Sequence, residues 1–215
     1  VNVLLDSRTD TTATVRVVGD NTASLKVNGQ LLPATGRVES TIKLARSNVG
    51  WRIDGPLPPG VLIDRTQFEA TYRLVTLYFT DQSQSRLIGD PRWFYIGQTG
   101  PGSVVARLLA GPSLDLARST ASAIPTGTQL GTVAVREGGG VRIDLRRAGS
   151  PAPEVRSLIA AQLVWTLNSV DAPAPYAITL DGEPLLPDRP DGIAVADVQR
   201  HSPTASSSSV DALDV

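Results

Sequence analysis

The side chains here best suited to making or breaking bonds are three carboxylates late in the chain, Asp144, Asp181 and Glu183. Two acids flanking a scissile bond can work as general acid and general base, the arrangement of glycoside or phosphodiester cleavage. All three fall at strand or turn positions, and no spacing among them forces two carboxyls together, so the pattern favours solvated or turn-stabilising roles. Other reactive types are sparse. His201 is the only histidine, lies between Arg200 and Ser202 in a polar stretch, and has no Cys or second His to join it in a metal site or a nucleophilic triad. Glu137-Gly138-Gly139-Gly140 has the glycine density of a phosphate cradle, but no Lys and Ser/Thr follow and the glycines lead into a strand rather than a helix, so it reads as a hairpin turn. No catalytic residue, cofactor or metal site is expected.

Recognition is better represented. Arg92, Trp93 and Tyr95 fall within four residues, and these three types supply the large, desolvatable contacts typical of protein interfaces. They form the candidate protein-binding set, although an alternating strand would hide part of it. Trp165 lies on the most apolar helical stretch and Trp51 ends a strand, so both read as packed. With 20 basic and 21 acidic residues the net charge is -1, which provides no field for recruiting nucleic acid or an anionic membrane. No apolar run approaches the ~20 residues needed to span a bilayer. A chain that opens Val1-Asn2-Val3-Leu4-Leu5 without Met reads as a soluble fragment whose native start, and any membrane attachment, lies upstream.

The elements that must position these residues fall into two modest α+β domains, a number that suits 215 residues with 41% hydrophobic content. Residues 1–53 alternate short β-rich runs (1–5, 14–18, 24–27, 31–33, 37–44 and 50–53) with turn residues and predict an antiparallel meander. Asn28-Gly29 suggests a type I′ hairpin. Pro56, Pro58 and Pro59 stop pairing, and Asp64 caps a short helix over 65–72 through the N–H of Gln67, with Ile63 and Phe68 as a hydrophobic staple.

In the second half, 75–79 and 86–88 predict a hairpin ended by Gly89-Asp90-Pro91, with 92–96 as a further strand. Ser103 is placed to cap a helix that stops at Gly111-Pro112. A short helix over 114–122 follows, then strands 129–135 and 141–145, then a long helix opened by Ser150, or by Ala152 before Pro153, that runs to about Ser169 and is apolar on more than one face. The segment 177–186 closes with a hairpin. The order suggests helices packed on a mixed sheet. From about residue 188 Pro and Ser dissolve the periodicity into a linker, in which 193–198 can still add a strand.

Four phrases, Leu77-Tyr78-Phe79-Thr80-Asp81, Leu108-Leu109-Ala110-Gly111-Pro112, Ile124-Pro125-Thr126-Gly127-Thr128 and Ala161-Gln162-Leu163-Val164-Trp165-Thr166-Leu167, resemble in order and spacing the GerMN domain. Together with Trp51-Arg52-Ile53 and Phe68-Glu69-Ala70-Thr71-Tyr72 they resemble the actinobacterial LpqB lipoprotein family. The resemblance implies a truncated NTF2-like domain with a curved antiparallel sheet over 1–73, a GerMN domain over 74–190, and a linker over 191–215 leading to an absent β-propeller. It also implies a non-catalytic, extracytoplasmic adaptor anchored to the cell membrane by an upstream lipid. Its partner would be the extracytoplasmic domain of a sensor histidine kinase, in the MtrA–MtrB two-component pathway of envelope homeostasis and division. Two other readings compete: a cell-wall glycan or peptide binding module with a Trp- or Tyr-lined cleft between the domains, and a hydrolase built on the three acids.

Overall fold

The computed structural model describes residues 1–56 and 63–203. The Pro58-Pro59 stop and the Ser206 to Ser209 linker lie outside the described residues. The chain divides into two compact units, Val1–Thr71 and Tyr72–Val215.

The first unit is built on a four-stranded antiparallel sheet ordered β1-β2-β5-β6, with β1 Asn2–Arg8, β2 Thr12–Asp20, β5 Arg37–Ser47 and β6 Gly50–Ile53. The hairpin β3 (Ala23–Leu25) and β4 (Leu31–Pro33) is a separate excursion between β2 and β5. The predicted meander is therefore interrupted. The turn at Asn28-Gly29 also differs from the expected type. Only Gly29 takes positive φ, at 85°, and Lys26 N–H bonds Gln30 O at 2.8 Å, which makes a wider loop than a type I′ turn. Alternation along β5 puts Val38, Ser40, Ile42 and Leu44 on a half-buried face and Glu39, Thr41 and Lys43 on an exposed one. Helix α1, Arg65–Thr71, starts as predicted, with Asp64 Oδ1 accepting the Gln67 N–H at 2.8 Å.

The second unit holds the large apolar core. Its first sheet is ordered β8-β7-β9, with β7 Tyr72–Asp81, β8 Leu87–Tyr95 and β9 Thr120–Ala121. The second is ordered β10-β11-β12-β13, with β10 Gln129–Val135, β11 Val141–Arg146, β12 Tyr176–Leu180 and β13 Glu183–Pro184. Between β11 and β12, which run parallel, the chain crosses over through α3, Pro153–Asn168. The other helix of the unit, α2, covers Pro101–Leu109.

Four local expectations change. Gly89-Asp90-Pro91 does not end a strand: β8 runs through it, with Pro91 opposite Thr76. Because β8 is the outer strand of its sheet, an N–H missing at Pro91 costs the ladder nothing when that position faces the free edge. Helix α2 begins two residues before Ser103, with Pro101 in its first turn and Gly100 as a cap without a side-chain bond. No helix forms over 114–122. Thr120 gives both its N–H and its hydroxyl to Leu116 O, at 2.9 and 2.7 Å, and so turns the chain into β9. Finally, the predicted linker carries regular structure: Ile193 pairs with Tyr176, and Val195–His201 forms a 3-10 helix.

Helix α3 is apolar nearly all round because it is covered nearly all round, with Leu158, Ile159, Ala160, Ala161, Leu163, Val164 and Leu167 buried. Its polar positions close the edge of β7 that β9 leaves unpaired. The Thr166 hydroxyl accepts the Tyr78 N–H at 3.0 Å, and the Ser169 hydroxyl donates to Thr76 O at 2.9 Å. A helix thus stands in for a strand. Thr166→Val keeps the shape but strands a backbone donor, and is expected to cost about 1–3 kcal/mol in urea unfolding, with Ser169→Ala costing less.

Candidate functional site

Strand β8 carries the predicted recognition residues and divides them. Successive side chains on a strand point to opposite faces, so Asp90, Arg92 and Phe94 share one face and Trp93 and Tyr95 the other. Arg92 is 1% exposed, the largest fully buried side chain among the described residues, and so is not a surface contact. Its Nε and Nη2 donate to the two Asp90 oxygens at 2.9 and 2.7 Å, a bidentate pair with both partners out of water. Asp90 Oδ2 also accepts the Ser113 N–H at 2.7 Å, and Arg92 Nη2 lies 3.4 Å from Gly111 O.

That geometry explains the Gly111-Pro112 helix stop. Gly111 takes a φ of +94° to leave α2, and Pro112 has no N–H, so the first donor available after the turn is that of buried Ser113. The Asp90–Arg92 pair supplies an acceptor for that donor and a donor for the Gly111 carbonyl. Nearby, Arg107 stacks over Phe94 at 5.5 Å; burial first, and then the charge of Arg92, push its pKa below the usual arginine value.

On the opposite face, Tyr72 pairs with Tyr95 and Leu74 with Trp93. Directly opposed residues project to the same side, so these four form one aromatic and aliphatic face. The Tyr72 and Tyr95 rings meet edge-on at 6.3 Å. Trp93 is half-buried, while Leu74 and Tyr95 are 48% and 49% exposed and the adjoining Ile96 is 52% exposed.

Two of the three acids have structural partners. Asp144 accepts the Thr179 hydroxyl at 2.9 Å and Arg146 Nε at 3.0 Å. Asp181 accepts three successive backbone N–H groups, from Arg147, Ala148 and Gly149, at 2.6, 3.0 and 3.0 Å. Glu183 is exposed in β13. Among the described residues no group of three or more His, Asp or Glu side chains is placed to hold a metal ion. Residues 138–140 form the predicted hairpin turn, all at positive φ. His201 ends the 3-10 helix rather than lying in a free tail; burial and then Arg200 lower its pKa, and its Nδ1 has no hydrogen-bond partner among the described residues. Trp165 is half-buried, packed against the core and edge-on to Tyr78 at 6.4 Å.

A groove of about 450 Å³ runs between the start of α3 and the 3-10 helix, bordered by Ser157, Leu186, Asp188, Arg189 and Asp197. Three of its charged side chains pair with one another, Arg189 lying 3.1 Å from Asp197 and 3.6 Å from Asp188, and Arg200 adds a further cation to its rim. It is a polar seam rather than an aromatic cleft. Sequence reasoning missed Asp90 and Gln162. Gln162 is fully buried on α3, accepting the Ala123 N–H at 3.0 Å and donating to the Ser122 hydroxyl at 3.2 Å. A Gln inside an otherwise apolar helical run was the available signal.

The fold and this face define a small α+β domain with a partly exposed aromatic and aliphatic face and a buried ion pair. Residues 76–186 match the Germane family model, described as sporulation and spore germination, and residues 1–69 match the model of the lipoprotein LpqB N-terminal domain. The chain belongs to the Germane family, with an LpqB-type N-terminal domain ahead of it. It is 34% identical to lipoprotein LpqB of Mycolicibacterium smegmatis, over 95% of this chain and 37% of that protein. It is 37% identical to lipoprotein LpqB of Mycobacterium leprae, over 80% of this chain and 31% of that protein. The chain thus spans about a third of the length of the curated relatives it matches. Among solved structures, the tandem GerMN domains of sporulation protein GerM from Bacillus subtilis align with a TM-score of 0.39 and 15% identity, covering 60% of this chain and 44% of that one. The resemblance carried by the four sequence phrases is borne out, since all four lie within the matched range.

Removing one partner of a buried pair leaves the other charge uncompensated, so Asp90→Ala or Arg92→Ala should each destabilise by about 3–5 kcal/mol in denaturant unfolding. The double replacement should cost clearly less than the sum of the two. The hairpin between β7 and β8 gives a pH prediction. The Ser85 N–H, followed by the Ser85 and Ser83 hydroxyls, holds the Asp81 carboxyl at about 2, below its ordinary 3.8. A depressed pKa means the ionised form is favoured in the fold, so this contribution is present above 3.8 and lost as pH falls through about 2. Carboxyl NMR titration should find the Asp81 midpoint near 2, and Ser85→Ala should raise it.

Proposed function

We propose that this chain is a non-catalytic, extracytoplasmic part of a membrane-anchored lipoprotein that works by contact with other macromolecules. The name lipoprotein LpqB, carried by relatives that match 95% and 80% of this chain, supports the anchored, extracytoplasmic placement. The lipid anchor would lie upstream of Val1. Among the described residues no helix is long and apolar enough to cross a membrane.

The observation that carries the non-catalytic reading is the use of the acids. Asp90, Asp144 and Asp181 spend their oxygens on backbone N–H groups, a hydroxyl and guanidinium groups inside the fold. A carboxylate already accepting such bonds is a poor proton acceptor for a substrate. The partner in this proposal is the extracytoplasmic domain of a two-component sensor histidine kinase, the MtrA–MtrB pathway, and the contact would serve envelope homeostasis and cell division. The contact surface is the outer face of β7 and β8, where Tyr95, Leu74 and Ile96 leave apolar area in water and Trp93 adds its ring. Aromatic anchors of this kind carry most of the energy in protein interfaces. Arg92 supports that surface from within.

A pull-down of the chain by the kinase's extracytoplasmic domain tests both parts. Tyr95→Ala and Leu74→Ala should each weaken retention about tenfold or more while leaving the melting temperature nearly unchanged, the loss expected from truncating a central apolar contact. Unchanged retention in both variants would remove this surface from the proposal, and no retention of the wild-type chain would remove the kinase.

A further inference from the structure

The Germane match ends at residue 186, yet the chain stays docked as far as His201. Along the edge of β12, β13 pairs with Thr179 and Leu180, and the Leu185 N–H reaches Ile178 O at 2.9 Å. The rest of that edge is taken by Ile193, which exchanges both backbone bonds with Tyr176 at 2.9 Å. The 3-10 helix Val195–His201 then packs on α3. Ile193 and Val198 are 1% and 2% exposed and belong to the same buried core cluster as α3.

Polar contacts fasten the same segment. Asp197 accepts the Ala194 N–H at 2.8 Å and Arg189 Nε at 3.1 Å, and Arg136 donates to Asp191 O at 3.0 Å. Gly192 fits the segment to the domain on two counts. Its φ is +148°, and a Cβ there would stand 2.7 Å from the Cβ of Pro175. Any other residue would push residues 191–193 away from β12. The groove along the start of α3 is the seam left under this segment.

We propose that residues 187–201 are a strap that closes the domain and mechanically couples it to the polypeptide that follows. The strap completes the edge of β12 and covers one side of α3, so the chain leaves the domain from the surface of its central helix rather than from the end of its last strand. A flexible linker from Pro187 would allow whatever follows to reorient freely. A docked strap ties its position to α3, whose Thr166 and Ser169 in turn hold the edge of β7 behind the proposed contact face.

Amide hydrogen exchange on the whole chain tests this, with Val198→Ala as a mild perturbation and Gly192→Ala as a stronger one. In the wild type the Ile193 and Tyr176 amides should exchange at least a hundredfold more slowly than unstructured amides. Each variant should lower the protection of both amides, and of residues 158–164 on α3, by about tenfold or more, while amides of β2 and β5 in the first unit stay unchanged. Wild-type Ile193 exchanging at nearly the unstructured rate would overturn the strap. Loss of protection at Ile193 with α3 unaffected would overturn the coupling.

Discussion

The second unit is organised around the ion pair of Asp90 and Arg92. Two charges withdrawn from water are tolerated only when their remaining hydrogen-bonding capacity is met. Here the pair turns outward from its own strand to meet it, taking the Ser113 N–H and approaching the Gly111 carbonyl. Those two groups are the ones a Gly-Pro helix stop leaves inside the protein. One interaction therefore joins the outer strand of a sheet to the end of a helix, and Trp93 and Tyr95 lie on the opposite face. Their exposure is the counterpart of Arg92's burial, because a strand cannot send adjacent residues to the same side.

A second constraint is the handling of unpaired strand edges. Only a short stretch of β9 pairs with β7, and β13 is just Glu183–Pro184. Each edge is completed by something other than a strand: hydroxyls of α3 for β7, and a single residue beyond the last strand for β12. Both solutions converge on α3, which explains why that helix has no polar side. Its Thr166, Ser169 and Gln162 are not flaws in an apolar helix but donors and acceptors aimed at the backbones it covers.

The same economy applies to the acids that a reader looking for catalysis would choose. Asp181, at a φ of +49°, gathers three consecutive N–H groups of residues 147–149 and so shapes the turn before α3. Asp144 bridges β11 to β12 through Thr179, its partner in the parallel register. These carboxylates position backbone, and the domain's outward character lies in its apolar and aromatic face.

Much of this architecture was legible in the chain itself. Alternation identified β7 and β11, the turn over 124–128 launched β10, the helical apolar run identified α3, the Asp64 cap started α1, and the four phrases pointed to the family, because each of these signals arises among residues close in sequence. The candidate contact set was legible only by residue type. That Arg92 turns inward follows from a partner two residues away, but its commitment depends on Ser113 and Gly111, which only folding brings near. Pro91 looked like a strand breaker until β8 proved to be an outer strand, the predicted helix over 114–122 gave way to pairing with β7, and the linker-like composition after residue 187 concealed a docked strap. In each case a local preference of a kcal/mol or so was overruled by burial or edge pairing with residues far along the chain, and contacts of that kind exist only in the tertiary structure.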